Sequence, residues 1–232
     1  MRKRRSALLG LVVCALALAA SLAAVPGASA APPPWSHGHG GGGGGYTIGL
    51  IAPWGSTVLA APDSITLTYS VSAAPKVPRA AIDAATAAAQ EWASWLSGHD
   101  GRGSFSVQAT SGGNATVPIT IKPGGGTIAG QTKLSYDRSG FISGATVQIS
   151  GSSFGLANDY TTVYEITLHE LGHAFVGLGH SNDPSDLMYP TLNGTTTIGT
   201  CEAAGFDALY GWLEDGSRST GPTLPSSSSV AC

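Results

Sequence analysis

Between residues 64 and 71 apolar and hydroxyl side chains alternate: Ile65, Leu67, Tyr69 and Val71 fall on one side, Thr66, Thr68 and Ser70 on the other. That is the two-residue period of a half-buried strand, and Pro75 and Pro78 close it. The period then changes. From Arg79 to Leu96 an Ala-rich run carries Ile82, Trp92, Trp95 and Leu96, and Gly98 stops it; this predicts a helix with its tryptophans in the core. Short strands come next at 105–109, 117–121, 133–136 and 145–149, separated by Gly-rich turns. Thr162-x-x-Glu165 has the form of a capping box, which starts a helix at Thr162 or Val163 that runs to about Val176. Leu168, Leu171 and Phe175 supply its apolar contacts, and Glu202, Phe206, Leu209, Tyr210 and Trp212 mark a final helix. No internal repeat is evident, and the mixture of elements predicts an α+β domain.

The ends read differently. Residues 1–30 have the form of a signal peptide: Arg2-Lys3-Arg4-Arg5, an apolar stretch from Ala7 to Ala24, and a small-residue cleavage site at Ala28-Ser29-Ala30. Export is expected, with an uncleaved signal anchor as the alternative. Residues 31–45, holding Pro32-Pro33-Pro34 and the Gly40 to Gly45 run, read as a flexible linker. Residues 46–214 make one domain and 215–232 a Ser-rich tail. Four of the eleven Lys and Arg lie in the leader, so seven remain against fourteen Asp and Glu, a net charge of −7. An acidic chain without a basic cluster offers nucleic acid no electrostatic footprint. Cys14 leaves with the signal, and Cys201 and Cys232 then form an even pair that favours one disulfide in an oxidising compartment, free thiols being the alternative. Such a bond would pin the Ser-rich tail onto the domain.

The chemistry is concentrated in His169-Glu170-Leu171-Gly172-His173, followed by Gly177, His180 and Met188-Tyr189-Pro190. Residues four apart on a helix share a face, so His169 and His173 can offer two imidazoles to one metal with Glu170 beside them. Zinc takes about four ligands and a catalytic site keeps one position open, so a third protein ligand is needed. His180 is the first candidate, with Asp183 and Asp186 as alternatives. His37 and His39 are read as solvated residues of the linker.

At these residues the chain resembles the metzincin metallopeptidases, and among them the matrixin-like group, which carry His-Glu-x-x-His-x-x-Gly-x-x-His and then a tight turn containing Met. Here the turn reads Asp186-Leu187-Met188-Tyr189-Pro190, eight residues past His180 to its Met. The likeness spans about residues 64 to 192. It implies an α+β catalytic domain: a twisted mixed sheet of about five strands, packed on a first helix and an active-site helix, with a Met-turn. One spacing departs. The family places Gly and the third His seven and ten residues after the first His, whereas Gly177 and His180 stand at eight and eleven. One extra residue in a helix rotates every later side chain by roughly 100°, and the Gly177-Leu178-Gly179 stretch is where a loop could absorb it.

The resemblance implies a secreted zinc endopeptidase acting on protein or peptide substrates as a monomer, with no nucleic-acid partner and no stable membrane partner once the signal is cut. His169, His173 and His180 would hold one catalytic zinc, Glu170 would be the general base, Met188 would floor the metal, and Tyr189 and Pro190 would wall the specificity pocket. In the family, the strand at the position of Ala145 to Ile149 is the sheet edge on which an extended peptide lies. Two family features are missing: a Cys-containing pro-segment motif and a second His/Asp cluster between residues 100 and 160. Calcium through Asp137, Asn158 or Asp159 is a weaker expectation. The rivals are a zinc-containing binding protein, which would lack the base, a non-peptide zinc hydrolase, and a gluzincin-type site with Glu202 as third ligand. Asn114-Ala-Thr and Asn193-Gly-Thr are glycosylation sequons where a host uses them.

Overall fold

The computed structural model describes residues 45–55, 59–61, 64–99, 104–111, 113–123, 129–150, 160–214 and 223–232. The leader, the linker up to Gly44, Asn158 and Asp159 lie outside them. The strand read at Ser64 is β3 (Ser64–Ala73), preceded by β1 (Thr47–Leu50) and the short β2 (Leu59–Ala61). Then come α1 (Arg79–His99), β4 (Phe105–Ala109), β5 (Val117–Lys122), β6 (Gly130–Tyr136) and β7 (Ile142–Ser150). The chain continues through α2 (Tyr160–Leu171), β8 (Leu178–Ser181), α3 (Thr200–Glu214) and β9 (Ser229–Ala231).

Five of these strands form a mixed sheet in the order β4-β3-β5-β7-β6, with β2 paired to the start of β3. β3, β4, β5 and β7 run parallel, and β6 returns antiparallel along β7. The alternation seen in the sequence sorts the two faces. Ile65, Leu67, Ile119, Ile121, Val147 and Ile149 are buried against the helices. On the other face hydroxyls pair across strands, Thr66 with Ser106 at 3.1 Å and Thr68 with Thr116 at 3.0 Å. Helix α1 buries Ala81, Ala84, Ala85, Ala88 and Ala89 at helical spacing, and these small side chains let it lie close on β3 and α2. Truncating a core residue such as Leu67, which is 0 % exposed, to Ala would cost about 2–5 kcal/mol.

The structure corrects two expectations. The stretch Ala145 to Ile149 is not the sheet edge, because β7 is hydrogen-bonded to β5 on one side and β6 on the other. The edge is β6, which begins at Gly130, three residues before the strand read from sequence. Helix α2 starts at Tyr160, ahead of Thr162, and the Glu165 side chain reaches a distant loop. Its Oε1 accepts the Asn193 and Gly194 N–H groups, at 2.9 and 2.8 Å.

A second sheet, in the order β8-β1-β9, was not legible in the alternation, since its strands are three or four residues long. The end of the Ser-rich tail supplies β9, which pairs antiparallel with β1. The Cys201–Cys232 disulfide joins this edge to the start of α3.

Candidate metal centre

His169 and His173 lie one helical turn apart, and His180 reaches them from β8. The ring centroids are 4.9 Å apart for His169 and His173, 5.4 Å for His169 and His180, and 5.0 Å for His173 and His180. One ring nitrogen from each lies within 4.8 Å of the others, and neither Asp183 nor Asp186 belongs to this cluster. Partners fix two of the tautomers. His169 Nδ1 is 2.8 Å from the Leu187 carbonyl and His173 Nδ1 is 2.7 Å from the Leu178 carbonyl. A carbonyl can only accept, so each Nδ1 carries its proton and each Nε2 keeps a lone pair for a metal. Burial lowers all three imidazoles from their ordinary value, His173 to about 3 with help from His169. Neutral nitrogen donors, three in number and open on one side where His180 is exposed, fit a zinc ion with one position left over.

Glu170 points away from the cluster's apolar floor towards β6. Thr132 Oγ1 lies 2.6 Å from its Oε2 and 2.9 Å from its backbone oxygen. Gly130 packs so closely that a Cβ there would collide with Oε1 and Cγ of Glu170. Burial raises Glu170 to about 7, against the Thr132 hydrogen bond, which lowers it. Beside Glu170 and His169 opens a cavity of about 470 Å³, walled by Gly130, Ile166, Leu187, Pro190 and Leu192, with Glu165 among them. Pro190 therefore borders the cavity, while Tyr189 is not one of its lining residues.

Beneath the histidines, Met188 is fully buried. Asp186 Oδ1 accepts the Met188 N–H at 2.8 Å and so shapes the turn. Buried Glu202, on α3, accepts the Gly199 N–H at 2.7 Å through Oε2. Burial, followed by the bond and repulsion from Asp186, raises Glu202 to about 8. Its Oε1 is a buried oxygen without a hydrogen-bond partner among the described residues, a place where an ionised carboxylate would be costly. Glu202 is thus engaged under the turn and is not part of the histidine cluster.

A family model described as matrixin matches residues 100–211, which take in the helix pair, His180 and the Met-turn. Over these residues the chain is matrixin-like. Interstitial collagenase of Oryctolagus cuniculus is 37 % identical over 65 residues, covering 27 % of this chain and 14 % of that protein. Interstitial collagenase of Bos taurus is 36 % identical over 69 residues, covering 29 % and 14 %. Macrophage metalloelastase of Oryctolagus cuniculus is 40 % identical over 58 residues, covering 23 % and 12 %. The matched stretch is thus about one-seventh of the length of these collagenases.

In this matrixin-like domain the extra residue of the motif is taken up inside the helix and not by a loop beside Gly179. After Leu171 the helix widens into a π turn, Gly172–Val176, whose bonds span one residue more than an α-helix allows. Gly177 ends it with φ 82°, its N–H directed at the Gly172 and His173 carbonyls. A side chain there would be strained and would strike the Ala52 carbonyl. The carbonyls of this last turn, which a helix end leaves unpaired, are met by buried aromatic donors. Trp54 Nε1 donates to the Ala174 and Phe175 oxygens at 3.2 and 3.0 Å, and Tyr210 Oη donates to Val176 O at 2.9 Å. Trp92 Nε1 donates to Leu168 O at 2.8 Å. Sequence reasoning placed Trp92 in the core and missed Trp54; a buried Trp needs an acceptor, and that requirement was the available signal.

The matrixin-like site also leaves some candidates elsewhere. Asp183 Oδ1 accepts from Ser185, both backbone and hydroxyl, which is a turn role. Asp137 Oδ1 accepts the Ser139 and Phe141 N–H groups at the β6–β7 turn, so this calcium candidate already caps a hairpin. Asn193 spends its side-chain N–H groups on the Pro184 and Asp186 carbonyls, so a glycan there, which replaces one of the two hydrogens, would remove one of these bonds.

Proposed function

We propose that the chain is a secreted zinc-dependent endopeptidase in which His169, His173 and His180 hold one zinc and Glu170 is the general base. The observation that carries this reading is the convergence of three imidazoles, two with their Nε2 lone pairs fixed by carbonyl bonds, with Glu170 and a deep cavity alongside. When bound, zinc supplies Lewis acidity, polarising a carbonyl and making water a better acid.

The chain's own residues supply the rest. Glu170 takes a proton from the attacking water on a carboxylate oxygen and returns it to the amine that leaves, two transfers that one carboxyl group can serve only if it stays in place. Thr132 holds Oε2 from the edge strand, and the tight fit of Gly130 against Oε1 restricts the other side. The outer edge of β6 has backbone groups unpaired by the sheet and runs past Glu170, so an extended peptide can add there as a further strand. Its side chain beside the cut bond enters the cavity next to His169. Met188 lies under the imidazoles through contact with Gly172, where any side chain would collide with its Sδ, and acts as packing, not as a ligand. The leader at 1–30 and the disulfide support export to an oxidising compartment. An intact Glu170 disfavours a binding protein that merely retains a metal.

The test is Glu170→Gln, which keeps the shape and loses the basicity. Elemental analysis of chain purified without added metal should give close to one zinc for both proteins. Cleavage of a mixed peptide library should fall by about 10²–10⁴-fold in the variant. Wild-type turnover in Glu170→Gln, or a folded chain that stays metal-free in micromolar zinc, would sink the reading.

A further inference from the structure

We infer that Glu165 makes the cavity beside Glu170 select a basic side chain, lysine or arginine, next to the bond that is cut. The inference rests on the peptidase reading above and names its substrate class. Glu165 stands four residues before His169, one turn down α2 on the same face, and this places it in the cavity wall. It is only 7 % exposed, yet the ion pairs of the described residues are Arg79–Asp83 and His99–Asp207, and neither involves it. A charge in such a place is costly unless paired.

Its pairing is half complete. The Asn193 and Gly194 N–H groups both go to Oε1 and hold the carboxylate still. Oε2 is not among the fully buried, unpartnered side-chain atoms, which for the described residues are Glu202 Oε1 and Trp212 Nε1. The hydrogen bonds of the carboxylate among the described residues both go to Oε1, and Glu165 lines the cavity. Apart from His169 and Glu170 at the metal end and Thr191, the lining is apolar, with Ile166, Leu187, Pro190 and Leu192. Apolar walls with a fixed anion among them match an amphipathic cation, whose methylene stem packs on hydrocarbon while its head reaches the carboxylate. An acidic side chain would meet like charge in the same confined space.

Glu165 could instead serve only to hold the loop at Asn193, and glutamine would then serve as well, because its amide oxygen accepts the same two N–H groups. The experiment turns on that. Two peptide series, varied to Lys, Arg, Leu or Glu on one side or the other of the cut bond, are given to zinc-loaded wild type and Glu165→Gln. Their dissociation constants are also measured on zinc-loaded Glu170→Gln with and without Glu165→Gln. In one of the two positions Lys and Arg should exceed Leu by about 10- to 100-fold in kcat/KM and in affinity, with Glu poorest. Glu165→Gln should bring the ratio close to one, with the Lys and Arg peptides losing far more than the Leu peptide, and Glu165→Lys should invert the order in favour of Glu. A wild type that prefers Leu to Lys in both positions, or a Gln variant that keeps the basic preference, overturns the inference. If no peptide is cut, the peptidase reading fails, and the affinities on Glu170→Gln still decide for or against Glu165.

Discussion

His169 and His173 are held by the helix that contains them, and His180 is held by almost everything else. The first pair needs only a helical period and two carbonyl acceptors. His180 sits on a four-residue strand whose position depends on the π turn before it, on β1 beside it, and on the tail strand and disulfide behind β1. Ser181 N–H reaches Met188 O at 2.9 Å, Asn182 N–H reaches Thr47 O at 3.0 Å, and Thr47 N–H reaches Asn182 Oδ1 at 2.7 Å. Local order is inherited from sequence spacing, whereas the third position is assembled from segments over a hundred residues apart.

The largest effect should come from the ligands themselves. His169→Ala, His173→Ala and His180→Ala should each weaken zinc by more than the 10–100-fold that losing an outer hydrogen-bond partner of a ligand costs. Asp183→Ala and Asp186→Ala should change affinity far less. Metal competition at one pH on all five variants checks this, and an aspartate variant that loses zinc while His180→Ala keeps it would reverse the comparison.

Opening the disulfide breaks the mount of His180 and leaves the helix pair alone. Cys201→Ser with Cys232→Ser should cost about 3–4 kcal/mol, the chain-entropy value for cysteines 31 residues apart. Denaturant unfolding measures that cost. Zinc affinity should fall with it, because β9 no longer braces β1 against β8. Unchanged affinity in a folded double variant would show that β1 and β8 hold His180 without the tail.

This division also explains how much could be read from sequence. β3 and the core of α1 and α2 were legible because their periods repeat over enough residues to be unambiguous. Strands β1, β8 and β9 have three or four residues each, too few for a period, and their partners lie far along the chain. The extra residue before Gly177 was visible, but its destination was not. That depends on tertiary partners for the end of the π turn, and Trp54 and Tyr210 come from distant segments to donate to its last carbonyls. Glu165 shows the opposite error: its local spacing to Thr162 satisfied a capping-box pattern, and its carboxylate accepts from a loop 28 residues ahead.

The two mounts should respond to pH with opposite signs in the metal-free chain. His173 is lowered to about 3 from 6.5, so its unfolded form binds a proton that the folded form does not. The stability tied to it is present above about pH 6.5 and is lost as pH falls towards 3. Glu202, beneath the turn that His180 leans on, is raised to about 8 from 4.5. Its contribution is present below about pH 4.5 and is lost as pH rises through 8. Between about pH 5 and 8.5, Glu202→Gln should therefore gain stability relative to wild type as pH rises. Parallel stability curves for the two proteins would remove Glu202 from this account.

The smallest effect tests the point at which the helix half also leans on a distant strand. Thr132 lies on β6, 38 residues from Glu170, and its hydroxyl is the side-chain partner found for the carboxylate among the described residues. Thr132→Val keeps the β-branched shape and removes the donor, so it should loosen the base without touching zinc. A hydrogen bond to a charged group contributes about 1.5–3 kcal/mol, and the loss should appear mainly in kcat, by roughly ten- to a hundredfold. Thr132→Ser restores the hydroxyl and should recover most of it. If Val and Ser behave alike, the strand positions Glu170 by packing at Gly130, and the helix half depends on β6 for space and not for a bond.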